Sequence, residues 1–335
     1  MAQKPPMEPV VWRPPPRPRA AAGGRATMPA PRLLPIGGEG PEHLALDASG
    51  KLLTGVADGR ILRVDPDSGQ VEQVARTGGR PLGLHALPDG RVLVCDAYSG
   101  LLRIDPASGA VEAVLTEVAG EPLRVCSNVA VTRDGTVYVS DASRRFPLRQ
   151  WKGDLLEHSG TGRVVRWVPG GEAEVVLDGL QFANGVCLAP DDSYLVVAET
   201  GSYRLRRLWL TGPRAGEDDI FADNLPGFPD NLTTGESGLV WVALASARDV
   251  TLDLLHRHHP FLRKAVWSLP DALLPDARRT AWVRGLDAAG RTVHDLRRDD
   301  GAYHMVTCAL EHDGRLHLGS LVKHAVATVP LPRTT

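Results

Sequence analysis

From Leu33 onward the chain alternates short apolar runs with polar turns, and the alternation repeats. Asp47-Ala48-Ser49-Gly50 before Lys51-Leu52-Leu53 has a counterpart in Pro88-Asp89-Gly90 before Arg91-Val92-Leu93-Val94. Two more are Arg133-Asp134-Gly135 before Thr136-Val137-Tyr138-Val139, and His312-Asp313-Gly314 before Arg315-Leu316-His317-Leu318. Degenerate copies stand at Pro190-Asp191-Asp192-Ser193 and Glu236-Ser237-Gly238, each ahead of its own β-branched and Leu run. A Gly or Asp turn followed by such a run reads as a hairpin entering a buried strand. A second strand signal follows: Arg60-Ile61-Leu62-Arg63-Val64 matches Leu101-Leu102-Arg103-Ile104, and Gly162–Trp167 and Tyr203–Trp209 play the same part. The period of roughly 40–57 residues is that of a four-stranded propeller blade. Six copies predict an all-β chain, a six-bladed β-propeller with four-stranded blades.

The interval between Gly238 and Gly314 is stretched and carries the helical text of the chain. Apolar residues at i, i+3 and i+4 predict a helix from Val250 through His256, running on to Phe261 and Leu262. Asp271 to Pro275 is a second short helix or a loop. The expectation is a short helical insertion between blades five and six, either over the mouth of the central channel or padding the surface.

Before the repeats, residues 1–32 are rich in Pro, Arg and Ala, with the run Trp12-Arg13-Pro14-Pro15-Pro16-Arg17-Pro18-Arg19. This composition predicts an extended or disordered segment ahead of a propeller over 33–335. It has no apolar core of an export signal and no span approaching a membrane helix, so no membrane contact is expected. A net charge of -2 over 335 residues leaves no footprint for nucleic acid, because acids offset the arginine pairs. Cys95, Cys126, Cys187 and Cys308 are far apart, and three of them lie in apolar runs. They read as reduced, buried thiols, which predicts a reducing, cytoplasmic setting and no zinc site.

Candidate chemistry comes from polar residues that interrupt apolar segments. Asn224-Leu225-Pro226-Gly227-Phe228-Pro229-Asp230-Asn231 presents a carboxylate and a carboxamide on a turn stiffened by two prolines. Phe182-Ala183-Asn184-Gly185-Val186 places an Asn in an apolar run. Just ahead of the turn signals, Glu42, Asn128, Asn184 and Asp230 take equivalent slots in four blades, and innermost strands converge on one axis. The expectation is an oxygen-only site, suited to Ca²⁺ or another divalent cation rather than zinc. Alternatively these groups hydrogen-bond neighbouring blades.

Gly40-Pro41-Glu42, Asp96-Ala97-Tyr98-Ser99-Gly100, Val139-Ser140-Asp141-Ala142-Ser143, Phe182–Val186, Leu225–Asn231 and Glu311-His312-Asp313-Gly314 together resemble the strictosidine-synthase-like family. That family sits within the wider group of SMP-30/gluconolactonase and paraoxonase propellers. The resemblance implies a divalent cation on the propeller axis held by Glu42, Asn128, Asn184 and Asp230, with Asn231 added. Departures are equally clear. Val129 and His43 stand where metal-using relatives often carry acids. Leu82 occupies the place of the paraoxonase catalytic His, and Thr307 lies nearest the slot of the condensing carboxylate. The leading expectation is a metal-dependent hydrolase of a lactone or small ester (lactonase- or arylesterase-like), with Asp230 or Glu42 as general base on a small-molecule substrate. The alternatives are a strictosidine-synthase-type condensing enzyme and a non-catalytic propeller that binds a ligand or partner.

Overall fold

The computed structural model describes residues 4–18, 26–274 and 276–332. Six antiparallel four-stranded blades are arranged as a six-bladed β-propeller. Blade one runs from Ala45–Leu46 through Leu52–Gly55 and Arg60–Val64 to Val71–Arg76. The inner strands of blades two to six are Pro81–Ala86, Cys126–Val131, Ala183–Leu188, Gly227–Thr234 and Val306–His312. The turn after each inner strand has a residue at positive φ: Gly50, Gly90, Gly135, Gly238 and Gly314, with Asp192 in the degenerate copy. Glycine reaches that region without steric cost, and Asp is among the few side chains that tolerate it.

Blade six is closed by the front of the chain. Its outermost strand, Arg32–Pro35, pairs antiparallel with Ala325–Pro330, from Arg32 opposite Thr328 to Pro35 opposite Ala325. The two ends of the propeller are thereby bonded to each other, and Ala325–Pro330 is not left as the outer edge of blade six. Upstream, Ala26–Thr27 adds a short parallel strand to Thr292–Arg298 of blade five.

The helical insertion sits inside blade five, between its second strand Val240–Ala247 and its third strand Ala281–Leu286, rather than between blades five and six. The turn at Gly238 precedes the second strand of a blade, so the long interval up to Gly314 contains half of blade five as well. Helix α1, Trp151–Glu157, comes from blade three; α2, Val250–Arg257, and α3, Pro260–Trp267, form the insertion. Asp249 caps α2 by accepting from Leu252 N at 2.8 Å, and Pro260 opens α3 behind His259. Asp271–Leu273 is a 3-10 turn, and Pro275 lies outside the described residues. Among the described residues no helix is long and apolar enough to cross a membrane.

The proline-rich segment over 4–18 lies extended across these helices; residues 1–3 and 19–25 are outside the described part. Val10 N donates to Glu157 O and Trp12 N to His256 O. Prolines cannot donate, so the segment is held through its carbonyls: Arg263 reaches Val10 O at 2.9 Å and Arg248 reaches Pro15 O at 2.7 Å. Trp12 stacks on His158 with ring centroids 4.1 Å apart, whereas Val10 and Val11 remain exposed. All four cysteines are free and buried.

Candidate functional site

Each inner strand of blades two to six shifts register near its start. The shifts fall between Pro81 and Leu84, Cys126 and Asn128, Ala183 and Val186, Pro229 and Leu232, and Val306 and Cys308. A bulge adds a residue that pairing does not constrain and re-aims its side chain. Leu82, Ser127, Asn184, Asp230 and Thr307 fall at these shifts, and together with Glu42 they line one cavity of about 170 Å³. In the sequence each opens a pair that an apolar residue follows: Ser127-Asn128-Val129, Asn184-Gly185-Val186, Asp230-Asn231-Leu232, Thr307-Cys308-Ala309.

The second members of those pairs form a layer beneath the cavity. Asn128 and Asn231 are both fully buried there. Asn128 Nδ2 donates to Asn231 Oδ1 at 2.7 Å, and Asn231 Nδ2 donates to Glu42 Oε1 at 2.7 Å. Room for these amides comes from glycines in the same layer. A Cβ on Gly83 would sit 2.6 Å from Asn128 Cα, and one on Gly185 would sit 2.7 Å from the Asn231 carbonyl carbon. Gly185 therefore serves close packing against the next blade, and its backbone lies within a strand rather than a turn.

Two carboxyl groups face the cavity. Glu42 is 4% exposed, and burial raises its carboxyl to about 7, with the Arg80 charge and the Asn231 hydrogen bond acting against that rise. Its Oε2 is buried and has no hydrogen-bond partner. Asp230 is half-buried on the cavity floor, and its carboxyl is raised well above the usual range by burial first and then by the Glu42 charge. Two acids that oppose each other's ionisation in one desolvated place are a familiar preparation for proton transfer or for a cation. Around them Ser127 Oγ donates to Asn184 Oδ1, Asn184 Nδ2 to Thr200 Oγ1, and Thr200 Oγ1 to Pro229 O. Thr307 Oγ1 donates to Glu42 O at 2.6 Å.

The structure thus brings Glu42, Asn184 and Asp230 to one cavity. It places Asn128 one residue deeper than expected, in the layer of Asn231, while Ser127 takes the slot that matches Asp230. The bulge causes this difference, because it puts the side chain before Asn128 onto the cavity face. Asn231 lies behind Glu42, and it would present an oxygen to the cavity side only with its amide turned over. Ser127 and Thr200 had no place in the sequence reading. Aligning the residue pairs on the apolar position after them would have found Ser127; no comparable signal marks Thr200. His43 follows Glu42 and His85 lies on the inner strand of blade two, and both are held neutral by burial, the first depressed to about 3 and the second to about 4. Neither lines the cavity.

Residues 38–253 match the family described as SMP-30/Gluconolactonase/LRE-like region. The chain is 33% identical over 308 residues to the adipocyte plasma membrane-associated protein of Bos taurus, covering 84% of this chain and 73% of that one. It is 32% identical over 340 residues to strictosidine synthase-like protein 10 of Arabidopsis thaliana, covering 91% and 89%. Among solved structures it resembles a gluconolactonase from Xanthomonas campestris, with a TM-score of 0.65 and 19% identity over 98% of both chains. It also resembles a calcium-binding regucalcin from Agrobacterium tumefaciens, with a TM-score of 0.63 and 16% identity over 92% of this chain and 99% of that one. At these identities the structural likenesses establish the fold.

Proposed function

Because this chain belongs to the SMP-30/gluconolactonase/LRE-like family, we propose that its axial site hydrolyses a lactone or small ester with a divalent cation of the Ca²⁺ type. The observation that carries the reading is the pair of buried Glu42 and half-buried Asp230 facing one cavity, with Glu42 Oε2 left without a partner. A buried, unpartnered carboxylate oxygen costs free energy that a cation would offset. The donor set fits a hard ion, since the polar groups on the cavity floor are carboxylate, amide and hydroxyl oxygens without His or Cys. Glu42, Asp230 and Asn184 would hold the ion; Asn128 and Asn231 orient Glu42 from below.

A divalent ion bound there would polarise an ester carbonyl and lower the pKa of a water. The chain's own groups do the rest. The apolar walls exclude bulk water, Ser127 and Thr200 fix the Asn184 amide, and Thr307 fixes the backbone at Glu42. Asp230, the more open of the two acids, takes the proton from the attacking water.

Asp230→Asn keeps an oxygen but cannot accept that proton. Hydrolysis of lactones and aryl esters is expected to depend on divalent ion, to vanish in excess chelator, and to fall at least about a hundredfold in Asp230→Asn. Wild-type turnover in that variant would remove Asp230 as the base. A broad panel left untouched by the metal-loaded protein would end the hydrolase reading in favour of ligand binding. Condensation of the strictosidine-synthase type finds less support, because Thr307 stands where that chemistry would need a carboxylate.

A further inference from the structure

The floor and the walls of the axial cavity differ in kind. Much of the floor's hydrogen-bonding capacity is committed internally, through Ser127 to Asn184, Asn184 to Thr200 and Thr200 to Pro229 O. Above the floor the walls are apolar: Trp151 and Leu155 of α1, Phe182, Phe228, and Leu252 and Leu255 of α2. Polar side chains return at the rim, where exposed Asp276 pairs with Lys152 at 2.9 Å and Arg278 is exposed. A ligand therefore meets oxygen groups at one end and hydrocarbon along its body.

We propose, building on the hydrolase reading above, that this cavity selects a lactone or ester whose body beyond the carbonyl is apolar and about one ring in size, and that it rejects polyhydroxylated lactones. The size follows from the volume, since about 170 Å³ is slightly more than the roughly 150 Å³ of an apolar cavity that takes benzene. The polarity follows from the partners. A sugar lactone carries hydroxyls around its ring, and each one pressed against Leu155, Leu252 or Phe228 loses its waters without replacement. Each stranded hydroxyl weakens binding by roughly tenfold or more, whereas each methylene laid on these walls strengthens it about fourfold. The insertion in blade five supplies Leu252 and Leu255, so α2 adds to the selection made by α1 and by the blade residues Phe182 and Phe228. Leu255 is half-buried and lines the cavity, while its neighbour Leu254 is 53% exposed on the outer face of the same helix.

Lactams keep the carbonyl but resist hydrolysis, so they report binding alone. Calorimetric titrations, with and without Ca²⁺, would compare δ-valerolactam, its derivatives with alkyl chains of increasing length, and gluconolactam. Affinity should rise about fourfold for each of the first methylenes and level off once the cavity is full, with gluconolactam the weakest ligand. Leu255→Asn should weaken the alkyl members about tenfold and leave the parent lactam unchanged; Leu254→Asn should alter neither. A flat series, no binding by any member, or gluconolactam binding at least as tightly as the alkyl members overturns the proposal, and the wild-type series decides even if Leu255→Asn fails to fold. Turnover separates this inference from the reading beneath it. Gluconolactone hydrolysed better than any alkyl lactone would sink the selectivity and leave the hydrolase standing. The predicted lactam series without turnover of any lactone or ester would do the reverse.

Discussion

At the residue scale the decisive unit is a pair at the start of each inner strand, one side chain on the cavity and the next in the layer beneath. Gly185 shows how tightly the two are coupled, because a methyl there meets the backbone of Asn231 and Leu232. Gly185→Ala is expected to cost about 1–3 kcal/mol or more from overpacking, read by urea denaturation, and to displace Asn231 from Glu42. A variant as stable as wild type would show that the blades shift apart more easily than this packing implies. The candidate site residues Glu42, Asn184 and Asp230 could be read from the sequence, since polar residues interrupting apolar strands are visible there. Ser127 is told from Asn128 only by aligning the pairs on the apolar residue after them, because a bulge moves the facing side by one residue and leaves no mark on composition.

At the element scale the insertion helices and the proline-rich segment act as one cap. Met7 is buried among Phe146, Leu156, Trp267 and Leu274, and Leu156 and Leu274 also line the cavity. Trp12 covers two buried imidazoles, His158 and His256, whose groups are depressed to about 2 and about 3 by burial first and by neighbouring cations. Both are neutral in the folded state and take up protons when unfolded. Their contribution is therefore intact above the unfolded value of about 6.5 and is lost as pH falls below it. Between pH 7 and pH 5 each imidazole should withdraw about 2 kcal/mol. The axial carboxyls, raised by burial, pull the opposite way, so the informative quantity is a difference. His158→Gln should lose about 2 kcal/mol less than wild type over that interval by urea denaturation. Equal losses in the two proteins would show that His158 already titrates normally in the fold.

At the scale of the whole molecule, one observed feature, and one that follows from the proposed function, bear on how six similar blades close as a ring. One is the strand Arg32–Pro35, which completes blade six from the other end of the chain. Deleting residues 1–35 should leave Ala325–Pro330 as an open edge, lower the melting temperature by several degrees or more, and promote aggregation. A truncated protein that melts like the full chain would mean that the closure adds little. The other is the axial cation site proposed above. Ca²⁺ at a hundred times its dissociation constant should stabilise the fold by about 2.7 kcal/mol, provided it binds only the folded state. Asp230→Ala should abolish that rise in melting temperature, and Asp191→Ala, in an exposed turn, should preserve it. Indifference of the wild-type melting curve to both Ca²⁺ and chelator would count against a resident ion.

The number of blades and the hairpin turns were determined by the sequence alone, because each depends on periods and turn residues that lie close together in the chain. Gly50, Gly90, Gly135, Gly238 and Gly314 stand where a left-handed turn requires them, and the strands follow locally. What only the tertiary structure decided concerns contacts between distant segments. The helical insertion fell inside blade five, since a spacing of turns does not say which strands of a blade flank a long interval. The closure of blade six joined residues almost 300 positions apart, Arg32 with Thr328, through backbone hydrogen bonds that ask nothing particular of the side chains. The partnerless oxygen of Glu42 and the apolar walls shared by α1, α2, Phe182 and Phe228 likewise arise from packing across blades, which no local pattern encodes.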